Sequence, residues 1–112
     1  MVHRLFSYGT LRQPEVQQAL FGRSVPTSAD AVVGYRLDVV TITDPVVIAT
    51  SGSDRHPILH RGTESDAVEG AVLELDDAEL AAADAYEVDD YIRVIAPLRS
   101  GGEAWVYVAV TE

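Results

Sequence analysis

Leu5-Phe6-Ser7-Tyr8-Gly9-Thr10-Leu11-Arg12-Gln13-Pro14-Glu15-Val16-Gln17-Gln18-Ala19-Leu20-Phe21-Gly22 holds two kinds of chain periodicity joined by a short loop. Residues 2–7 carry Val2, Leu5 and Phe6 and stop at Tyr8-Gly9, which reads as a first strand ending in a loop that needs glycine's backbone freedom. Pro14 opens and Gly22 closes an apolar-bearing segment, the proline-first, glycine-last asymmetry of a helix of about two turns. A strand therefore delivers the chain through Tyr8-Gly9-Thr10-Leu11-Arg12 to the start of a helix.

Outward from this unit, strands dominate. Residues 29–42 are rich in valine and are punctuated by Gly34, which predicts one long strand or two short ones with a bulge or bend between them. Pro45-Val46-Val47-Ile48-Ala49 is a further short strand candidate, and residues 50–66, polar except for Ile58-Leu59, read as a surface excursion with a brief strand inside. Residues 68–75 alternate as a strand. Asp76-Asp77 can then cap a helix through Glu79, Leu80, Ala81, Ala82, Ala83, Asp84 and Tyr86. Residues 91–98 and 104–110 are two last strands joined by the turn-forming Arg99-Ser100-Gly101-Gly102-Glu103. About six strands to two helices, without regular βαβα alternation, predict an α+β fold: a small mixed, twisted or barrel-like sheet with two helices, as a single domain over residues 1–112.

Composition narrows the function. Eight basic residues, all arginine, against 18 acidic ones give a formal net charge of -10, which repels nucleic-acid phosphates and anionic lipid headgroups. The chain has no cysteine, which removes disulfides, thiolate nucleophiles and cysteine-held metals. His56 and His60 stand at helical metal-ligand spacing, but Pro57 lies between them and no HExxH pattern accompanies them, so no metal is expected. No apolar run approaches the ~18 residues of a membrane helix. The expected setting is the cytoplasm, and the expected state is a monomer or weak homodimer.

Two places can carry chemistry. The backbone N–H groups of the Tyr8-Gly9-Thr10-Leu11 loop can converge at the helix start on an anion or a carbonyl oxygen. The competing reading is an ordinary strand-to-helix turn with Tyr8 and Leu11 packed in the core. Glu87 ends the second helix, where the negative end of the macrodipole, and Asp89-Asp90 just beyond, push a carboxyl pKa upward as a proton shuttle requires. The competing reading there is a solvated acidic helix end. Ser7 and Ser51 lack a G-x-S-x-G context, so serine hydrolysis has no support. Trp105-Val106-Tyr107-Val108 reads as sheet packing, and Arg93 as a partner for one of the acidic groups.

Leu5-Phe6-Ser7-Tyr8-Gly9-Thr10-Leu11-Arg12 and Asp84-Ala85-Tyr86-Glu87-Val88-Asp89-Asp90-Tyr91-Ile92-Arg93 together resemble the gamma-glutamylcyclotransferase-like family, which includes the AIG2-like proteins. The first segment is similar to its Y-G-T/S-L loop and the second to its D-x-x-E segment followed by Tyr-x-Arg. Gly34-Tyr35-Arg36-Leu37, Glu69-Gly70-Ala71-Val72 and Val106-Tyr107-Val108 fall in the expected order, so the resemblance spans nearly the whole chain. Val88 departs from it, where the family often has glycine. The resemblance implies a small α+β barrel, Glu87 as acid/base carboxylate, and Tyr8, Gly9, Thr10, Leu11 and Tyr91 as substrate-binding residues. It implies release of 5-oxoproline and a free amine from a gamma-glutamyl amine or amino acid, without metal or cofactor. The alternatives are a related acyl transfer on another amine conjugate and a non-catalytic domain that binds a small molecule or a partner.

Overall fold

A computed structural model of the protein describes residues 2–41, 45, 46, 49, 55–87 and 91–109. The first strand, β1 (His3–Ser7), lies in the middle of a five-stranded sheet. It runs antiparallel to β5 (Ala67–Leu75), with His3 opposite Leu75 and Ser7 opposite Ala71. On its other side it runs parallel to β7 (Glu103–Ala109), meeting it at Leu5 and Trp105. β2 (Thr27–Val33) flanks β5 and β6 (Tyr91–Pro97) flanks β7, both antiparallel, which completes the order β2-β5-β1-β7-β6. β3 (Tyr35–Thr41) and β4 (Arg55–Arg61) form a separate antiparallel ribbon.

The large sheet curls until its two outer strands meet. Just past β6, Leu98 forms an antiparallel bridge with Val32 of β2, and the Arg99 N–H donates to the Ala31 carbonyl at 2.8 Å. Period-two alternation assigns each strand residue to one side of this curl. Leu5, Leu73, Leu75 and Tyr107 pack on the helix side with Val16, Leu80 and Ala83. Phe6, Val32, Val72, Leu98 and Val106 pack inside the curl, where Tyr35 and Leu59 of the ribbon join them. The expected α+β fold with a barrel-like mixed sheet and two helices is the one observed.

Thr10–Arg12 makes one 3-10 turn after β1, and α1 (Pro14–Phe21) begins with proline and ends at Gly22. α2 (Asp77–Tyr86) starts in a capping box, in which the Asp76 carboxylate accepts from the Glu79 N–H and the Glu79 carboxylate accepts from the Asp76 N–H. Glu79 also accepts two bonds from Arg23, at 2.7 and 2.8 Å, which ties the loop after α1 to the start of α2. Gly34, at φ 87°, turns the chain from the large sheet into the ribbon.

Two expectations are corrected. Pro45, Val46 and Ala49 are helical, not strand: proline is tolerated in the first turn of a helix, and the strand propensity of valine yields to context. Val47 and Ile48 lie outside the described residues. The strand expected to be brief within 50–66 runs for seven residues as β4, and its Ile58 and Leu59 are core residues, not surface ones. Residues 50–54 lie outside the described residues. Seven strands are thus present among the described residues, against about six expected.

Candidate active site

The end of β1, the end of α2 and the ribbon converge on one cavity. Its walls include all six residues singled out in the sequence: Tyr8, Gly9, Thr10, Leu11, Glu87 and Tyr91. Phe6, Ser7, Pro57 and Tyr107 complete it. Leu11 and Tyr8 are also core residues, as the packing reading of the loop expects.

Hydrogen bonds at the surface and in the interior fix the loop. Arg12 reaches back along the chain, its Nε donating to the Gly9 carbonyl and its Nη2 to the Tyr8 carbonyl, each at 3.1 Å. Gln17, only 4% exposed, donates through Nε2 to the Leu11 carbonyl at 2.9 Å and accepts from the Val25 N–H at 3.2 Å. A buried amide satisfied on both atoms holds its neighbours in place. The Gly9 N–H donates to Ser7 Oγ at 3.3 Å. The first bond of the 3-10 turn runs from the Arg12 N–H to the Gly9 carbonyl, so the Thr10 and Leu11 N–H groups have no acceptor within that turn.

Beneath the loop, β5 approaches closely at Gly70. A Cβ there would stand 2.3 Å from the Ser7 carbonyl oxygen and 2.7 Å from Phe6 Cζ. The Glu69-Gly70-Ala71-Val72 motif thus has a steric meaning: no side chain fits under the last residues of β1.

Hydroxyls brace the remaining walls. Tyr8 Oη donates to the Tyr107 carbonyl at 2.5 Å, and Tyr91 Oη donates to the Pro57 carbonyl at 2.6 Å, which anchors the ribbon to β6. Thr10 Oγ1 and Tyr86 Oη share a bond of 2.9 Å. Burial, reinforced by Tyr91 and Glu87, pushes the Tyr8 phenol far above the usual tyrosine range, so it stays neutral.

Glu87 caps the C-terminus of α2, its N–H donating to the Ala83 carbonyl at 3.1 Å before the chain leaves in extended conformation. Its carboxyl is pushed up to about 8, first by burial and second by the negative charge of Asp84. The upward direction agrees with the sequence reading, and burial adds a cause that the sequence reading did not include. Asp89 and Asp90 lie outside the described residues.

Pro57 and Tyr107 escaped the sequence reading. Pro57 stands on a ribbon whose pairing nothing local announces. Tyr107 was absorbed by its strand, although alternation from Trp105 already places it on the helix side of the sheet. Arg93 pairs with Asp84 through Nε and Nη2 at 2.9 and 3.0 Å, as its acidic-partner reading required. His56 and His60 both lie on β4, where a separation of four residues is about 13 Å, so their helical metal spacing does not apply.

A curled α+β sheet thus carries one cavity lined both by the desolvated Glu87 carboxyl and by the Tyr8 to Leu11 loop. The sequence matches the family model described as gamma-glutamyl cyclotransferase, AIG2-like, over residues 5–112, and the chain belongs to that family. No curated protein matches the sequence.

Among solved structures, the chain is similar to At3g28950.1 from Arabidopsis thaliana, with a TM-score of 0.77 and 23% identity over 98% of this chain and 63% of that one. It is also similar to a gamma-glutamyl cyclotransferase, with a TM-score of 0.73 and 16% identity over 98% of this chain and 68% of that one. A part of Kluyveromyces lactis allophanate hydrolase is similar as well, with a TM-score of 0.72 and 12% identity over 99% of this chain and 18% of that one. The chain thus spans 63% of the length of the Arabidopsis protein. At these identities the likeness is one of fold.

Proposed function

We propose that this protein is a gamma-glutamyl cyclotransferase: it closes the gamma-glutamyl group of a small amide into 5-oxoproline and releases the free amine. The observation that carries this reading is the placement of the Glu87 carboxyl in one cavity with the Tyr8-Gly9-Thr10-Leu11 loop. Family membership supports the reaction class.

The substrate supplies both reacting atoms. Its alpha-amine attacks its own gamma-carbonyl, forming the ring C–N bond, and the gamma-amide C–N bond then breaks. The protein's main task is to fold the substrate into that attacking shape, an effect worth roughly 7–11 kcal/mol when the geometry is good. Glu87 takes the proton from the alpha-ammonium and delivers one to the leaving nitrogen, typically about 10² to 10⁴ in rate. A carboxyl near 8 suits both steps, since it exchanges protons readily close to neutral pH. The N–H groups of Thr10 and Leu11 face the substrate carboxylate or the developing oxyanion. Tyr8 and Tyr91, held by their bonds to Tyr107 and Pro57, wall the pocket.

No cysteine calls for an oxidising compartment, and we place this reaction in the cytoplasm, carried by one domain. The test is mass spectrometric detection of 5-oxoproline from a panel of gamma-glutamyl amines and amino acids. Glu87→Gln, which keeps shape and loses the proton shuttle, should lower turnover at least about a hundredfold. Undiminished product from that variant would sink the assignment, and no product from either protein across the panel would favour a binding role for the cavity.

A further inference from the structure

At the end of α2, close to Glu87 in the chain, stands a second carboxylate held by residues of two strands. Asp84 lies in the last turn of α2, three positions before Glu87, the residue that caps it, which brings the two carboxyls to the same helix end. Asp84 Oδ1 accepts from Tyr107 Oη at 2.7 Å and from Arg93 Nε at 2.9 Å, and Oδ2 accepts from Arg93 Nη2 at 3.0 Å. The Arg93 guanidinium in turn lies 4.3 Å from the centroid of the Trp105 ring. Two side chains, Arg93 of β6 and Tyr107 of β7, thus hold one carboxylate of α2, and Tyr107 is itself a wall of the cavity that contains Glu87.

Such a fork fixes the position of Asp84. A bidentate arginine holds a carboxylate in one plane, and stacking on an aromatic face removes the arginine's own freedom to move. We propose that Asp84, clamped by Arg93 and Tyr107, is a positioning residue for Glu87: it keeps a fixed negative charge beside that carboxyl, so that proton transfer at Glu87 answers to Asp84 and its partners.

The groups around Glu87 leave this role to Asp84. β1 and its loop present Tyr8, β6 presents Tyr91 and Arg93, β7 presents Tyr107, and α2 presents Asp84. Among these described groups Asp84 is the one anion, and the three tyrosines are neutral near pH 7. The negative charge of Asp84 raises the Glu87 carboxyl, second only to burial. Arg93 sets a positive charge directly against Asp84.

This inference deepens the cyclotransferase reading, yet its test does not depend on turnover. Protein labelled with ¹³C at the glutamate carboxyl carbons is titrated by NMR, and the Glu87 signal is identified by its loss in Glu87→Gln. Asp84→Asn should move the Glu87 midpoint to lower pH by about half a unit or more, and Arg93→Gln should move it to higher pH. With an active enzyme, the rising limb of kcat/KM against pH should move with the midpoint. An unmoved midpoint in folded Asp84→Asn overturns the proposal, as does a downward shift in Arg93→Gln, which also serves if Asp84→Asn fails to fold. Shifted midpoints without 5-oxoproline from any substrate would uphold the link between the two carboxyls and reject the cyclotransferase reading.

Discussion

Glu87 carries a cost that its proposed role explains. With its carboxyl raised from an ordinary 4.5 to about 8, the folded chain holds a proton that the unfolded chain gives up. Below the ordinary value both states are protonated and nothing is lost; as pH climbs toward 8 the unfolded state gains from ionising, so stability falls, and above 8 the loss is complete. Glu87→Gln should therefore be more stable than the native protein, by a margin that grows between about pH 5 and 8, read from urea midpoints across that range. A margin independent of pH would mean that the carboxyl is not desolvated. Glu79 on the same helix behaves oppositely: the hydrogen bonds from Arg23 hold its carboxyl below the usual range, so its contribution is present above that range and is lost as pH falls through the lowered value.

At the scale of elements, the site depends on how closely β5 passes beneath the end of β1. Gly70→Ala would place a methyl against the Ser7 carbonyl and the Phe6 ring, so β1 and the Tyr8 loop must shift. The expected outcome is a loss of about 1–3 kcal/mol together with a drop in 5-oxoproline formation, measured by denaturant unfolding and by the same mass spectrometric assay. Unchanged stability would show that the two strands separate easily. Such contacts mark the boundary of what the sequence discloses. α1 was legible because Pro14 and Gly22 bracket it, and α2 because Asp76 announces a cap; both signals act within a few residues. β4 was not, since Pro57 and its charged neighbours disguise a strand whose burial comes from packing against the curl of the large sheet. The helical Pro45 and Val46 misled for the complementary reason, valine's strand preference giving way to a proline-led turn. Within the site, Tyr8 to Leu11 and Glu87 each carry a local mark. Pro57 and Tyr107 arrive through pairings across the fold, and only the assembled molecule brings them there.

For the whole molecule, the proposed function makes charge a selector among substrates. A net charge of -10 and the absence of any cationic side chain among the described cavity walls disfavour a leaving amine that bears extra carboxylates. At low ionic strength, kcat/KM should be higher for gamma-glutamyl conjugates of simple amines than for those of acidic amino acids, with the gap narrowing as salt is added. A gap unaffected by salt would assign the preference to shape instead. The bond between Tyr8 and Tyr107 joins residues 99 positions apart, and the parallel contact of β1 with β7 spans almost the same interval. Contacts of that reach require most loop entropy to be surrendered before they form, which makes folding slower than in a helical bundle of equal size. Until β7 docks on β1, one wall of the cavity is missing. Catalytic competence should therefore emerge among the last events of folding, so that recovery of activity during refolding reports completion of the native topology while helix signals recover earlier.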